Sequence, residues 1–255
     1  MSVAIITGAS SGIGSELVKQ LENFVDGIDE IWAIARRENL LNELKEKTKI
    51  PLRAVPLDLT DTNSLSVLEE MLKTEQKEVG VLINCAGYGK FGSYADIENA
   101  AALGMIDLNC RALVGVTNLA IPFMKRGSKI LQICSISSFQ PLPLMAVYAA
   151  SKVFVLNYSR ALWRELKPRG ITVTALCPGW VDTAFFATAT DTKNPKAVTK
   201  YTFMQTPQRV VKQGLKAMKK GKMLSIVGKQ NKILYVLNKI LPVKTVMNTW
   251  LKTQK

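Results

Sequence analysis

The chain has 255 residues, 47% of them hydrophobic and 21% charged, which excludes a disordered, fibrous or low-complexity protein. It contains no histidine, which excludes Ser-His-Asp hydrolysis, Cys-His proteolysis and histidine-ligated metals, and no metal site is expected. The net charge of +14 is uneven: residues 192–255 hold 15 of the 34 Lys and Arg residues and no Asp or Glu. That asymmetry suits an anionic partner, whether a membrane surface, an acidic substrate or nucleic acid; the plain alternative is a solvated basic surface.

In chain order, residues 3–7 read as a short buried strand, 8–14 as a Gly/Ser turn and 15–24 as a helix. Residues 30–35 form a second strand, 38–47 an amphipathic helix and 53–57 a third strand. Asp61 is placed to cap a helix running to about residue 75. A fourth strand covers 79–84. Helices over 107–124 and 147–166 bracket a fifth strand at 129–134, and a sixth strand at 172–177 ends in Pro178-Gly179. Residues 183–206 read as loop or short helices, 207–219 as a helix and 223–227 as a last strand. Residues 233–241 are apolar on one face with Lys229, Lys232 and Lys239 on another, and Pro242 interrupts before an apolar segment at 243–251.

Strands alternating with helices predict right-handed βαβ units and an α/β, Rossmann-type, doubly wound parallel sheet in three layers. Continuous apolar runs such as Val81-Leu82-Ile83 suit strands covered on both faces. One domain over 1–227 with a basic amphipathic extension over 228–255 is the simplest organisation. Four widely spaced cysteines without a C-x-x-C pair suit a reduced set, and the first strand begins without a basic leader, so a cytoplasmic protein is expected. No window of eighteen uninterrupted apolar residues predicts a spanning helix.

Three motifs carry chemistry. Thr7-Gly8-Ala9-Ser10-Ser11-Gly12-Ile13-Gly14 lies between a strand and a helix, where glycines permit a tight turn and the helix N-terminus favours a pyrophosphate. The second strand ends Ala35-Arg36-Arg37, where NAD-selective folds usually carry a carboxylate. Two cations there favour the 2′-phosphate of NADP, unless they merely start a surface helix. Tyr148 and Lys152 are i, i+4 neighbours on one helical face, and an adjacent ammonium should lower the phenol pKa. Ser135 closes the preceding strand, at the sheet edge where ligands bind.

The chain resembles the short-chain dehydrogenase/reductase family over about residues 2–223. Thr7 to Gly14 matches its T-G-x-x-x-G-x-G, and Asn84-Cys85-Ala86-Gly87 its N-N-A-G with Cys85 in place of the second Asn. Asn109, Ser135, Tyr148 and Lys152 match its catalytic set, and Pro178-Gly179-Trp180-Val181-Asp182-Thr183 its P-G-x-x-x-T. The resemblance implies hydride transfer between a nicotinamide cofactor and a CH–OH group. In it, Tyr148 exchanges the proton, Ser135 binds the substrate oxygen, Lys152 holds the nicotinamide ribose and lowers the tyrosine pKa, and Asn109 holds a relay water. Gly8, Ser10, Ser11, Gly12, Ile13 and Gly14 would cradle the pyrophosphate. Asp58 would bind adenine, Asn84, Ala86 and Gly87 would line the adenosine side, Pro178 and Gly179 would lie near the nicotinamide, and Val181 and Thr183 would hold the carboxamide.

Bland readings stand beside these: Asp58 as a turn or cap residue, Asn109 as a helix-interior polar group, and Cys134 as packing rather than a redox sensor. Ser137 and Ser138 have the wrong spacing to Tyr148 for the family. A substrate loop is expected over 180–207, with Phe139, Pro141, Leu142 and Leu144 opposite. Trp180, Phe185, Phe186, Tyr201, Phe203 and Met204 make it aromatic. A hydrophobic secondary alcohol or ketone fits, such as a hydroxysteroid or bile acid, or else a 3-oxoacyl thioester; Lys193, Lys196 and Lys200 could attract an anionic group on it. The same aromatics could instead pack the loop onto the body.

A reading of another class is a peripheral membrane-binding, NADP-binding scaffold anchored on anionic lipid through residues 233–251. Nucleic-acid binding lacks a readable motif and is not expected. A homodimer or homotetramer through the two long helices is what the resemblance implies.

Overall fold

The computed structural model describes residues 1–254. Its elements are β1 (Ser2–Thr7), α1 (Gly12–Gln20), β2 (Glu30–Ala35), α2 (Glu38–Lys45), β3 (Leu52–Pro56), α3 (Thr62–Glu75) and β4 (Glu78–Asn84). Then follow α4 (Asn99–Ile106), α5 (Leu113–Ala120), β5 (Lys129–Ile133), α6 (Ala146–Glu165), β6 (Thr172–Cys177), α7 (Phe185–Thr190), α8 (Pro207–Lys219), β7 (Leu224–Ile226), α9 (Lys229–Ile240) and α10 (Val243–Gln254). The strands form one sheet in the order β3-β2-β1-β4-β5-β6-β7, and every neighbouring pair is parallel. The chain winds outward from β1 to β3, then crosses back to β4 and winds the other way. The reversal opens a crevice at the carboxyl ends of β1 and β4, where open α/β sheets bind ligands.

Both sheet faces are dry. Ala4, Ile6, Ala33 and Ile83 point to one side and pack with Leu17 and Leu21 and with Val210 and Leu215 of α8. Val3, Ile5, Trp32 and Leu82 point to the other and pack with Leu68 and Leu72 of α3 and with Val116 and Leu162. Side chains of a strand alternate between faces, so continuous apolar runs are what double coverage requires. The Asp61 carboxylate caps α3 as its sequence position predicts, accepting from the Asn63 amide at 2.9 Å.

One helix begins earlier than its sequence pattern suggests. It runs without a break over Asn99–Phe123, 25 residues whose most apolar 18-residue stretch has a mean hydropathy of 1.3. Alanine and glycine dominate its first turns, so no apolar periodicity marks them, and Asp107 pairs with Arg111 at 3.0 Å instead of capping. By length and composition this helix could cross a bilayer, yet Met105, Cys110, Leu113, Val116 and Ala120 are buried in the body. The helix widens to i→i+5 bonding over Asp107–Ala112, a local bulge that is common at functional sites.

Candidate active site

A cavity of about 1360 Å³ runs along the carboxyl edge of the sheet. Pockets for one small ligand span about 300–1,000 Å³, so there is room for a dinucleotide and a second molecule.

One end is built from backbone. The Gly-rich turn leaves β1 and enters α1, with Gly8 at φ +67° and Gly12 at φ +53°, both in the left-handed region. A Cβ on Gly14 would lie 2.0 Å from the Gly8 carbonyl oxygen, so only glycine closes this turn. The Thr7 hydroxyl accepts from the Cys85 and Ala86 amides at 3.1 Å each and ties the ends of β1 and β4 together. Gly8, Ser10, Ser11, Gly12, Ile13 and Gly14 all face the cavity. A turn that opens a helix N-terminus onto a crevice supplies amides and a positive dipole end to a phosphate.

Beyond the turn lies a cationic corner. Arg37 Nη2 donates to Ser10 Oγ at 3.2 Å, and Arg36 Nη1 lies 3.8 Å from Asp58 Oδ2. Both arginines line the cavity, and the Arg36 side chain is 75% exposed. Burial pushes the Asp58 carboxyl up, but the Thr60 hydroxyl at 2.7 Å, the Thr60 amide at 3.0 Å and Arg36 outweigh it. The carboxyl therefore ionises below its usual range.

The other end carries acid–base groups. Ser135 follows β5 and caps a short 3₁₀ turn, its Oγ accepting from the Ser137 amide at 3.2 Å. Tyr148 and Lys152 lie one turn apart at the start of α6, and all three line the cavity. Burial pushes the Tyr148 phenol up to about 12, and the neighbouring Ser135 hydroxyl pulls the other way. This reverses the expectation of a phenol acidified by Lys152. The Lys152 ammonium donates instead to the Ile133 carbonyl at 2.9 Å, 5.8 Å from the Tyr148 ring centroid, and burial lowers its own pKa. Ser138 donates to the Lys152 carbonyl at 2.8 Å and turns away from the cavity. Ser137 reaches the cavity wall with its hydroxyl unpartnered.

Two expected residues lie behind the wall. Asn84 donates to Thr117 Oγ1 at 2.9 Å within the core and does not line the cavity. Asn109 is fully buried; its Oδ1 accepts from the Tyr88 amide at 3.0 Å, and its amide donates to the Tyr88 carbonyl and to Ser151 Oγ. Its donors are spent on protein, so it holds the segment that follows Gly87 in place. Ala86, Gly87, Pro178, Gly179, Val181 and Thr183 do line the cavity.

The substrate-side aromatics divide. Trp180, Phe185, Phe186 and Phe203 face the cavity, as do Leu142 and Lys200. Tyr201 packs on Phe186 with ring centroids 4.6 Å apart, and Phe139 packs on Tyr235 at 4.5 Å. Lys193 pairs with Glu98 at 2.9 Å.

The C-terminal helices are the part of the site that sequence reasoning left outside it. Leu234 and Leu237 of α9, Leu241 just past its end, and Val246 and Trp250 of α10 line the same cavity. Trp250 donates from its indole to the Pro143 carbonyl at 2.8 Å and stacks on Trp180 at 6.5 Å. Gln254 Oε1 accepts from the Thr199 and Lys200 amides at 3.2 Å. An aromatic ring so near the end of a polar, basic segment was the available signal.

The chain belongs to the short-chain dehydrogenase family: the family model described as short chain dehydrogenase matches residues 2–194. It is an oxidoreductase of that family, acting on CH–OH groups with a nicotinamide cofactor. Among its relatives is a probable short-chain type dehydrogenase/reductase of Helicobacter pylori, 35% identical over 190 residues, 72% of this chain and 68% of that protein. Two solved structures share the fold. A short-chain dehydrogenase from Sphingobium yanoikuyae in complex with NADPH is 24% identical with a TM-score of 0.77, covering 94% of each chain. A 3-ketoacyl-(acyl-carrier-protein) reductase from Brucella melitensis complexed with NADH is 22% identical with a TM-score of 0.74, covering 89% of this chain and 96% of that one.

Proposed function

We propose that the protein interconverts a hydrophobic secondary alcohol and its ketone, using NADP(H). The observation that carries this reading is the meeting of Ser135, Tyr148 and Lys152 on one cavity wall, across from a Gly-rich turn with a cationic corner. The nicotinamide, when bound, supplies the hydride for the carbonyl carbon. The turn and the N-terminus of α1 would hold its pyrophosphate, and Arg36 and Arg37 its 2′-phosphate. Pro178, Gly179, Val181 and Thr183 would bind at the nicotinamide end.

The remaining chemistry belongs to the side chains. A phenol with its pKa near 12 keeps its proton at neutral pH, so Tyr148 is charged with the proton that a ketone oxygen must receive. The Ser135 hydroxyl donates to the same oxygen and stabilises its developing charge. Lys152, fixed by the Ile133 carbonyl, would hold the nicotinamide ribose. Asn109 acts as a positioning residue through the Tyr88 backbone.

The leucines and rings of the substrate side favour an extended, apolar substrate. A 3-oxoacyl thioester is the second substrate class; Lys200 on the wall would suit its phosphate-bearing arm. Leu103, Ile106, Val153 and Phe154 stay exposed on the long helices and support self-association there. Four unpaired cysteines support a reducing, cytoplasmic setting.

The test is oxidation of each reduced nicotinamide cofactor with hydroxysteroid-type ketones, β-ketoacyl thioesters and simple ketones. Tyr148→Phe should lower turnover by about 10³-fold while cofactor binding stays within about twofold; retained turnover overturns the mechanism. Arg36→Asp should move the preference toward NAD by about tenfold; an unchanged preference overturns the 2′-phosphate reading.

A further inference from the structure

Helix α9 is apolar on two sides. Leu234, Leu237 and Leu241, at the i, i+3, i+7 spacing of one face, form cavity wall. Ile233, Val236 and Ile240 repeat that spacing one position earlier and do not touch the cavity. They are 60%, 52% and 73% exposed, and Val243 past the Pro242 elbow is 58% exposed. A surface helix ordinarily turns its second face to water with polar side chains, and a contiguous exposed apolar ridge marks a contact surface. Lys229, Lys232, Lys239 and Lys244 lie along and beside the ridge and are exposed, and no acidic residue occurs anywhere in residues 192–255.

The charge decides the occupant. An apolar ridge flanked by lysines, without one carboxylate, complements a surface that is apolar inside and anionic outside. A nucleic acid would leave the ridge in water. A second copy of this face would set lysines against lysines.

We propose that α9 and the α9–α10 elbow lie in the interfacial layer of an anionic bilayer, with the ridge in the acyl boundary and the lysines among the headgroups. The leucine side of the same helix then forms the partition between bilayer and active-site cavity. The substrate class follows: a lipophilic ketone or alcohol resident in the membrane, passing beside α9 without crossing water. This rests on the oxidoreductase reading above. The helix is held for that role at its N-terminal end. Asn231 donates to the Val227 carbonyl at 2.6 Å, and Gly179 sits so close to Asn231 that a Cβ there would lie 2.6 Å from Nδ2.

The experiment uses the full chain with vesicles of phosphatidylcholine, with and without phosphatidylglycerol. The protein should co-sediment with the anionic vesicles and be released by salt. An I233E/I240E double variant should bind about tenfold more weakly, and K232E/K239E should lose only the dependence on phosphatidylglycerol. In both variants the reduction of a small water-soluble ketone should stay within about twofold of the parent, while KM for a long-chain ketone dissolved in the vesicles rises about tenfold for I233E/I240E. Absence of sedimentation, equal binding by I233E/I240E, or a lipid-free dimer that I233E/I240E dissociates overturns the proposal; the dimer would make a second copy the occupant. Vesicle binding without turnover of any ketone by the parent protein would overturn the oxidoreductase reading and with it the membrane substrate, but leave the docking.

Discussion

The cofactor-side wall of the cavity is made of backbone brought together by glycines, whereas the substrate-side wall is made of rings and leucines carried on loops and the last two helices. On the first wall, Cβ atoms at Gly8 and Gly14 would fall 2.7 Å from the Ala86 amide nitrogen and 2.0 Å from the Gly8 carbonyl oxygen. Nothing flexible is there to yield. On the second, Trp180, Phe185, Phe186 and Tyr201 sit with ring centroids 4.6 to 6.1 Å apart in tilted or edge-on pairs. Such rings exchange partners at modest cost. A wall of backbone fixes what is common to every turnover, and a wall of side chains can change with the substrate.

The largest effect that would test this contrast comes from one methyl group. Gly14→Ala places its Cβ on a carbonyl oxygen, and the turn must move. We expect a loss of stability on the order of 3 kcal/mol, from overpacking against backbone, and loss of measurable cofactor binding. Thermal denaturation with a cofactor titration checks both. A variant that binds cofactor normally would mean the turn is as tolerant as the opposite wall.

Legibility in the sequence follows the same division. The glycines at 8, 12 and 14 announce their turn because backbone geometry admits few residue types. Ser135, Tyr148 and Lys152 are legible because an edge serine and an i, i+4 pair match the spacing of the family's catalytic set, and the fold brings all three to the cavity wall. Asn84 and Asn109 are legible as positions but not as roles, since whether an amide faces a cavity or a neighbouring backbone depends on rotamers that spacing does not encode. The phenol is the clearest case: proximity to Lys152 suggests acidification, yet burial dominates and pushes the pKa up, with the Ser135 hydroxyl only partly opposing it. The inner face of α9 escaped notice because its leucines and its outward isoleucines share one hydrophobic pattern. Only the packed structure separates them.

An intermediate effect should come from the wall of rings. Trp250 contributes one stacked pair with Trp180 and one hydrogen bond to the Pro143 carbonyl. Together these are worth about 2 kcal/mol. Trp250→Ala should lower Tm by roughly 4–8 °C, raise KM for a bulky ketone by about tenfold and leave cofactor affinity unchanged. Isothermal titration with cofactor beside steady-state kinetics separates the two walls. If cofactor affinity fell as steeply as KM rose, the walls would be one mechanical unit and the contrast between them would fail.

The smallest effect tests the backbone wall at its one reactive side chain. Cys85 lines the cavity between the Gly-rich turn and Lys152, where an exposed thiol would be an easy target. Burial pushes its pKa up to about 12, and the Lys152 charge only partly opposes this. The thiolate is the nucleophile, so a raised pKa leaves the group protonated and inert through neutral pH. Its reactivity should rise about tenfold per pH unit throughout the range below about 12, because the thiolate fraction does. Iodoacetamide at pH 7 to 8 should therefore leave turnover within about twofold of the untreated enzyme, and mass spectrometry of the peptide containing Cys85 should find it unmodified. Rapid alkylation at pH 7 would show that the half-buried thiol ionises far below about 12 and that this wall is as open to solvent as the wall of rings.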